Sequence, residues 1–195
     1  MSFWGVGIPS MFGSMSHQPP APVAMRNPLG WWWHTPHDTL DKVDEANLVR
    51  DTRIFVRALW RLLTSTVLPL DFAAHARALT IELRLVEATL EGRLSLDPLL
   101  NAAAALEAVA TRATSDATLM ALSRALVPAD YTSGNRFAHD PALPLPPWPI
   151  LEPVRALAAA PDGDAARFAL VGARRACNHL QHLLQQAITI VGSPR

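Results

Sequence analysis

Phe72, Ala76, Leu79, Leu83, Val86 and Leu90 recur at alternating steps of four and three. That repeat draws a single apolar seam along one side of a helix. A seam of this kind must be buried against other elements, so it commits this part of the chain to a helical bundle. Asp71 is placed to cap the helix and Gly92 to close it, which predicts a span of about 71 to 91. Leu170, Ala173, Cys177, Leu180, Leu184, Ala187 and Val191 repeat the pattern on a last helix that Asp164 caps. Cys177 lies on that seam and reads as a buried structural thiol.

Between the two seams, Asp97-Pro98 starts an alanine-rich helix by the cap-then-proline rule, ending near residue 113. Ser115 or Asp116 opens another, to about residue 126. Residues 127–149 hold Pro128, Pro141, Pro144, Pro146, Pro147 and Pro149 and read as a proline-stiffened strap across the bundle. Tyr131, Arg136, His139 and Asp140 lie on it, with a substrate loop as the alternative. A short helix is expected near residues 151–160.

The N-terminal third is written differently. Trp4, Val6, Ile8, Met11 and Phe12, punctuated by glycine and Pro9, predict one or two short strands over residues 3–15. A lone strand needs a sheet, and no second convincing strand follows. The expectation is that its partner strands belong to sequence outside this chain. Residues 16–42 form a long loop with five prolines, and Asp44 caps a helix expected to run to about residue 65. Leu48, Thr52, Phe55, Leu59 and Leu62 share one face of it, while Arg50, Arg53, Arg57 and Arg61 line another and read as a solvated face. The predicted fold class is therefore an α/β remnant, the edge of a sheet, followed by a mainly α-helical bundle. The predicted division is residues 1–66 and 67–195.

Several function classes fall away. The 17 basic and 17 acidic residues cancel, leaving no basic footprint for nucleic acid. A single cysteine excludes an intrachain disulfide framework and a cysteine-based zinc site. No apolar run reaches about 18 residues, so no membrane span is expected. The first residues lack the basic leader of a signal peptide, and Gly5, Gly7 and Pro9 interrupt their apolar run.

Chemistry concentrates between Trp31 and Asp44, where three adjacent indoles precede His34, His37, Asp38 and Asp41. Imidazole nitrogen and carboxylate oxygen are the usual ligands of zinc, alongside thiolate. A polar turn ahead of a helix, its aromatics packed on the core, is the plainer reading of the same residues. His179 and His182, spaced i, i+3, lie off their helix seam and read as solvated; His17 and His75 have no evident partner. No Gly-x-Ser-x-Gly motif supports a serine nucleophile.

The order His34-Thr35-Pro36-His37-Asp38-Thr39 resembles the last metal-ligand loop of the zinc aminopeptidase and glutamate carboxypeptidase family, metallopeptidase family 28, which reads His-Thr/Ser-x-x-Asp-Thr after an aromatic residue. Upstream, Gly7-Ile8-Pro9-Ser10 resembles the strand signature that family places shortly before the loop. The resemblance is strong over about residues 1–65; the helical remainder is similar only in placement to the dimerisation domain of the carboxypeptidase branch and of the transferrin receptor.

The resemblance implies a centre of two zinc ions held by a His, a bridging Asp, a Glu, an Asp or second Glu, and a final His. A Glu beside the Glu ligand acts as general base. His34 matches the final His. Trp33 stands where the family often has tyrosine, and it offers an indole N–H in place of a hydroxyl. No Glu-Glu pair occurs and no His-x-Asp precedes the Gly7–Ser10 stretch, so this chain supplies one zinc ligand and no catalytic residue. The implied function is the C-terminal part of a zinc-dependent exopeptidase that hydrolyses peptide bonds with a metal-activated water. The implied partners are a peptide substrate and a second copy of the chain, met through the helical region. The alternative is a helical dimerisation or interaction module with no chemistry of its own.

Overall fold

The computed structural model describes residues 30–132 and 147–192. Its regular structure is helical, with six α-helices and no strand among the described residues. The strands expected over residues 3–15, and with them the α/β part of the expected fold, lie outside the described residues, as does His17. Among the described residues, 30–69 belong to one compact unit and 70–192 to another.

The first unit holds a run of turns and then helix α1, Glu45–Thr64. The Asp44 carboxylate accepts the Asn47 N–H at 2.7 Å, satisfying one of the donors a helix start leaves open. No residue of α1 is buried.

The second unit is the bundle. Helix α2, Phe72–Thr89, starts on Asp71, whose carboxylate accepts from the Ala74 N–H at 2.8 Å. All six residues of its predicted seam, Phe72 to Leu90, are buried. At about 2 kcal/mol for each large apolar side chain, that seam is a principal source of stability. Glu91 and Gly92 then reverse the chain with φ of 50° and 82°.

Helix α3, Asp97–Ala110, has its cap one residue earlier than the sequence suggests, at Leu96. Leu96 offers no side-chain acceptor. Its own N–H donates to the Glu87 carboxylate at 2.7 Å, while Ser95 accepts the Asp97 N–H at 3.1 Å. Ala102, Ala103 and Ala110 are buried, and α3 packs on both α2 and the last helix. Small side chains permit that close approach on two sides.

Helix α4, Asp116–Tyr131, is capped by Ser115 and runs five residues past its expected end, with Pro128 inside it. Proline removes one helical N–H bond. Here it falls in the last turn, and Thr132 closes that turn by donating its N–H and its hydroxyl to the Pro128 carbonyl. The expected 127–149 strap therefore begins as helix, and its residues 133–146 lie outside the described residues. After a 3-10 turn at Pro149–Leu151 come α5, Glu152–Ala159, and α6, Asp164–Gly192. Helix α6 packs on α3, α4 and α5, burying Ala173, Leu180, Leu184 and Ala187. Cys177, expected to be buried, is half-buried, because it stands at the edge of that seam.

Two arginines tie the bundle together. Arg93 donates to the Leu157 and Ala160 carbonyls at 3.1 and 2.7 Å and pairs with Asp162 at 3.0 Å. Arg155 reaches Glu82, Glu152 and the Pro147 carbonyl, each at 2.6 Å.

Candidate functional site

His34 sits on the turn run that precedes α1. Gly30, with φ of 105°, starts it, and a Cβ there would stand 2.5 Å from the Trp32 ring. The Trp33 N–H donates to the Gly30 carbonyl at 3.2 Å and the Thr35 N–H to the Trp32 carbonyl at 2.9 Å. The Thr35 hydroxyl accepts the His37 N–H at 3.1 Å, and its carbonyl accepts the Asp38 N–H at 3.0 Å.

These bonds carry His34 to φ of 60°, a left-handed conformation that costs a non-glycine residue about 1 kcal/mol. The Asp38 carboxylate returns across the turn to accept the His34 N–H at 3.4 Å. The imidazole of His34 is exposed and stacks on Trp33, ring centres 3.8 Å apart. Neither of its ring nitrogens is hydrogen-bonded to another described residue. His37 leans against Trp31, ring centres 5.4 Å apart. Further on, the Lys42 ammonium and then the Thr39 hydroxyl hold the Asp41 carboxyl below its ordinary range.

A zinc site generally needs at least three protein ligands. Among the described residues no three His, Cys, Asp or Glu side chains are grouped to hold a metal ion. The turn thus presents two exposed imidazoles, His34 and His37, while an Asp38 carboxylate oxygen accepts the His34 N–H. His179 is half-buried on α6, and His182 lines a groove with Arg124, Gln185 and Gln186 between α4 and α6; neither belongs to such a group.

The bundle unit holds a second cluster that sequence reasoning missed. His75 on α2, left without a partner in the sequence, meets Asp130 on α4, Nδ1 to Oδ2 3.4 Å. Its ring lies edge-on between Phe72 and Trp148, at 5.9 and 6.0 Å. Burial lowers the His75 imidazole to about 4 and raises the Asp130 carboxyl to about 7. The Trp148 indole N–H opposes the second shift, although Asp130 Oδ1 and Trp148 Nε1 are both buried outside hydrogen-bond geometry to any described residue. Trp148 is held at φ of 51°, with Arg155 gripping the carbonyls of Pro147 and Trp148 on either side of its peptide.

A histidine–carboxylate pair activates a nucleophile only when one is bonded to the ring. No serine or cysteine is bonded to His75 among the described residues. Burial also raises the Cys177 thiol, which disfavours the reactive thiolate. The pair is a largely buried titratable contact between α2 and α4, each side chain 18% exposed.

Comparison of the chain with family models, with curated proteins and with solved structures returns no match. No helix among the described residues is long and apolar enough to cross a membrane.

Proposed function

We propose that this chain is the C-terminal portion of a zinc-dependent exopeptidase of the aminopeptidase and glutamate carboxypeptidase type. In this reading residues 1–66 end the peptidase core, including the edge of its sheet, and residues 67–195 form a helical dimerisation region. His34 is one zinc ligand. The observation that carries the reading is the conformation of His34: a strained backbone, its N–H taken by Asp38, and an exposed imidazole with both nitrogens free of described partners. In this reading the left-handed backbone of His34 serves to aim its side chain. The pattern His34-Thr35-x-x-Asp38-Thr39 is met by a geometry in which the histidine is presented and the aspartate shapes the loop beneath it.

When bound, zinc activates water and polarises the scissile carbonyl. The described residues do not make that centre alone, and the sequence holds no Glu-Glu pair and no His-x-Asp, so in this reading the family's remaining donors are supplied by other polypeptide. The chain by itself is expected to show no turnover of leucyl amides above a metal-only blank.

The test is to join the full chain to a catalytic segment carrying His-x-Asp and Glu-Glu, then to measure zinc content and turnover together. His34→Ala is expected to strip or misplace a metal and abolish turnover, and Asp38→Ala to cost about 10–100-fold. His37→Ala should do far less. Metal and rate retained in His34→Ala but lost in His37→Ala would show that His37 is the ligand and the loop is misaligned.

A helical interaction module is the second reading. Exposed Ile81 and Leu85 on α2, and Phe168 and Val171 on α6, favour it. Sedimentation of the full chain decides whether these faces pair two copies; a monomer at about 100 µM, weaker than any standard-sized specific interface, removes that support.

A further inference from the structure

An open groove of about 650 Å³ lies between α4 and α6, inside the bundle unit. Ala121 and Ala125 of α4, with Ile190 of α6, are half-buried and make its floor. The two alanines stand at i and i+4, so they share one face of α4, and their small side chains leave the space open. Arg124, His182, Gln185 and Gln186 are exposed and make its rim. The Arg124 guanidinium has no ion pair or hydrogen bond with a described residue. Among the described residues no carboxylate lines the groove. The sequence explains this. Helix α6 has no acidic residue after Asp164, and α4 has none between Asp116 and Asp130, whose carboxylate meets His75. The chain as a whole has no net charge, so the positive lining is a local arrangement.

We propose that this groove binds a small organic carboxylate with a compact apolar body. Its volume lies in the range of small-molecule sites, and an apolar floor with a few polar groups is their usual make-up. The guanidinium fork bonds a carboxylate through two parallel N–H groups. The amides of Gln185 and Gln186 add donors for its oxygens and acceptors for a polar group beside it. Charge selects the carboxylate over other anions. Arg124 is the one permanently charged side chain on the rim, so it balances one negative charge and leaves a phosphate dianion half-compensated. A polyanion calls for a row of cations, and the rim supplies one guanidinium and one imidazole. The proposal concerns the bundle and is independent of the zinc-peptidase reading of His34.

The experiment titrates phenylacetate into the full chain, labelled with nitrogen-15, at low salt, and follows the backbone amide resonances. Saturable shifts are expected around residues 121–125 and 182–190, with a Kd of about 1 mM, the scale open to a ligand of this size. Acetate, which lacks the apolar body, and phenylacetamide, which lacks the charge, should each bind at least about tenfold more weakly, and phenyl phosphate should bind no tighter than phenylacetate. Arg124→Gln should weaken phenylacetate about tenfold and His182→Gln less, both with melting unchanged, because both side chains are exposed. Ala121→Leu fills the floor and should block binding; if that variant loses its fold, Arg124→Gln still decides. Several results overturn the proposal. Acetate binding as well as phenylacetate would mean an adventitious ion only, held by an exposed guanidinium. Phenylacetamide binding as well would mean an apolar dent that reads no charge. Tighter binding of phenyl phosphate would name the wrong anion. So would Arg124→Gln with unchanged affinity remove the recognising group, and the absence of saturable shifts at these residues up to about 20 mM remove the site.

Discussion

Helices α1 and α2 begin alike, each at an aspartate whose carboxylate takes the N–H three residues on, at 2.7 and 2.8 Å. Both carry apolar residues at steps of three and four. Yet α1 buries none of its 20 residues, while every seam residue of α2 is buried. The seam of α2 meets α3, which in turn meets α6. Periodicity states that a helix has a face to bury; it does not state that the chain contains the cover. In the bundle unit the described residues supply that cover; in the other unit the described residues leave α1 unburied, and that unit carries the histidine that the resemblance selects.

Placing the same charge on both helices separates them most sharply. Leu83→Asp buries an unpaired carboxylate where Leu83 is wholly inaccessible, and should cost about 4 kcal/mol or more, enough to unfold a marginal bundle. Leu59→Asp, at a site 48% exposed, should stay within about 0.5 kcal/mol. Thermal melting of the two variants decides it. An unchanged midpoint in Leu83→Asp would show that the bundle does not rest on this seam.

The bundle also hides its own titration. Asp130, raised from 3.8 to about 7, contributes stability that is lost as pH rises through that window. His75, lowered from 6.5 to about 4, contributes stability that is lost as pH falls through its window. From about pH 4 to 6.5 the folded pair keeps the proton on Asp130 and the unfolded pair keeps it on His75. The proton counts match, and the two slopes cancel. Because burial causes both shifts, removing either partner should uncover the other. Asp130→Asn should grow more stable from pH 4 to 6.5, and His75→Gln less stable from pH 4 to 7, each by about 2–3 kcal/mol. Urea melts across pH test this; two single variants as flat as the parent would show that the pair is not buried as placed.

Arg155→Ala removes a guanidinium that bridges α5 to α2 and leaves Glu82, 17% exposed, without its partner at 2.6 Å. A loss of about 2–3 kcal/mol is expected, and Glu82→Leu in the same chain should return part of it, because the uncompensated carboxylate is then gone. The first unit has no such bridge among the described residues, so α1 should keep its helicity in the same variant. Circular dichroism of that variant that falls in step for both units would mean they unfold as one.

How much of this was written in the sequence depends on the range of the signal. The caps at Asp44 and Asp71, and the seam from Phe72 to Leu90, rest on residues within a few turns of each other, and they were legible; the α4 cap was narrowed to Ser115 or Asp116, and it is Ser115. The continuation of α4 through Pro128 was not, because proline is read as a breaker and its rescue by Thr132 depends on the geometry of one turn. The His75–Asp130 contact spans 55 residues and has no local pattern; Asp130 stood in what read as a loop. At the ligand turn the residue types were legible, but the left-handed backbone of His34 was not, since glycine is the residue that usually announces it. Nor does the pattern of α1 tell that Leu59, Trp60 and Leu63 stay exposed.

The smallest expected effect tests the comparison at its common element. Asp44→Ala and Asp71→Ala each remove one carboxylate from a helix N-terminus, a change worth about 1 kcal/mol. In α2 that loss is shared with a buried seam, so it should appear as a shift of a few degrees in the cooperative melt with helical content unchanged at 25 °C. Helix α1 has no buried residue to hold its first turn, and helix starts are costly to nucleate. There the same loss should appear as fraying, with faster amide exchange over residues 45–50 and no shift in the bundle's melt. If Asp44→Ala shifted the global midpoint as far as Asp71→Ala does, α1 would be coupled to a core in this chain.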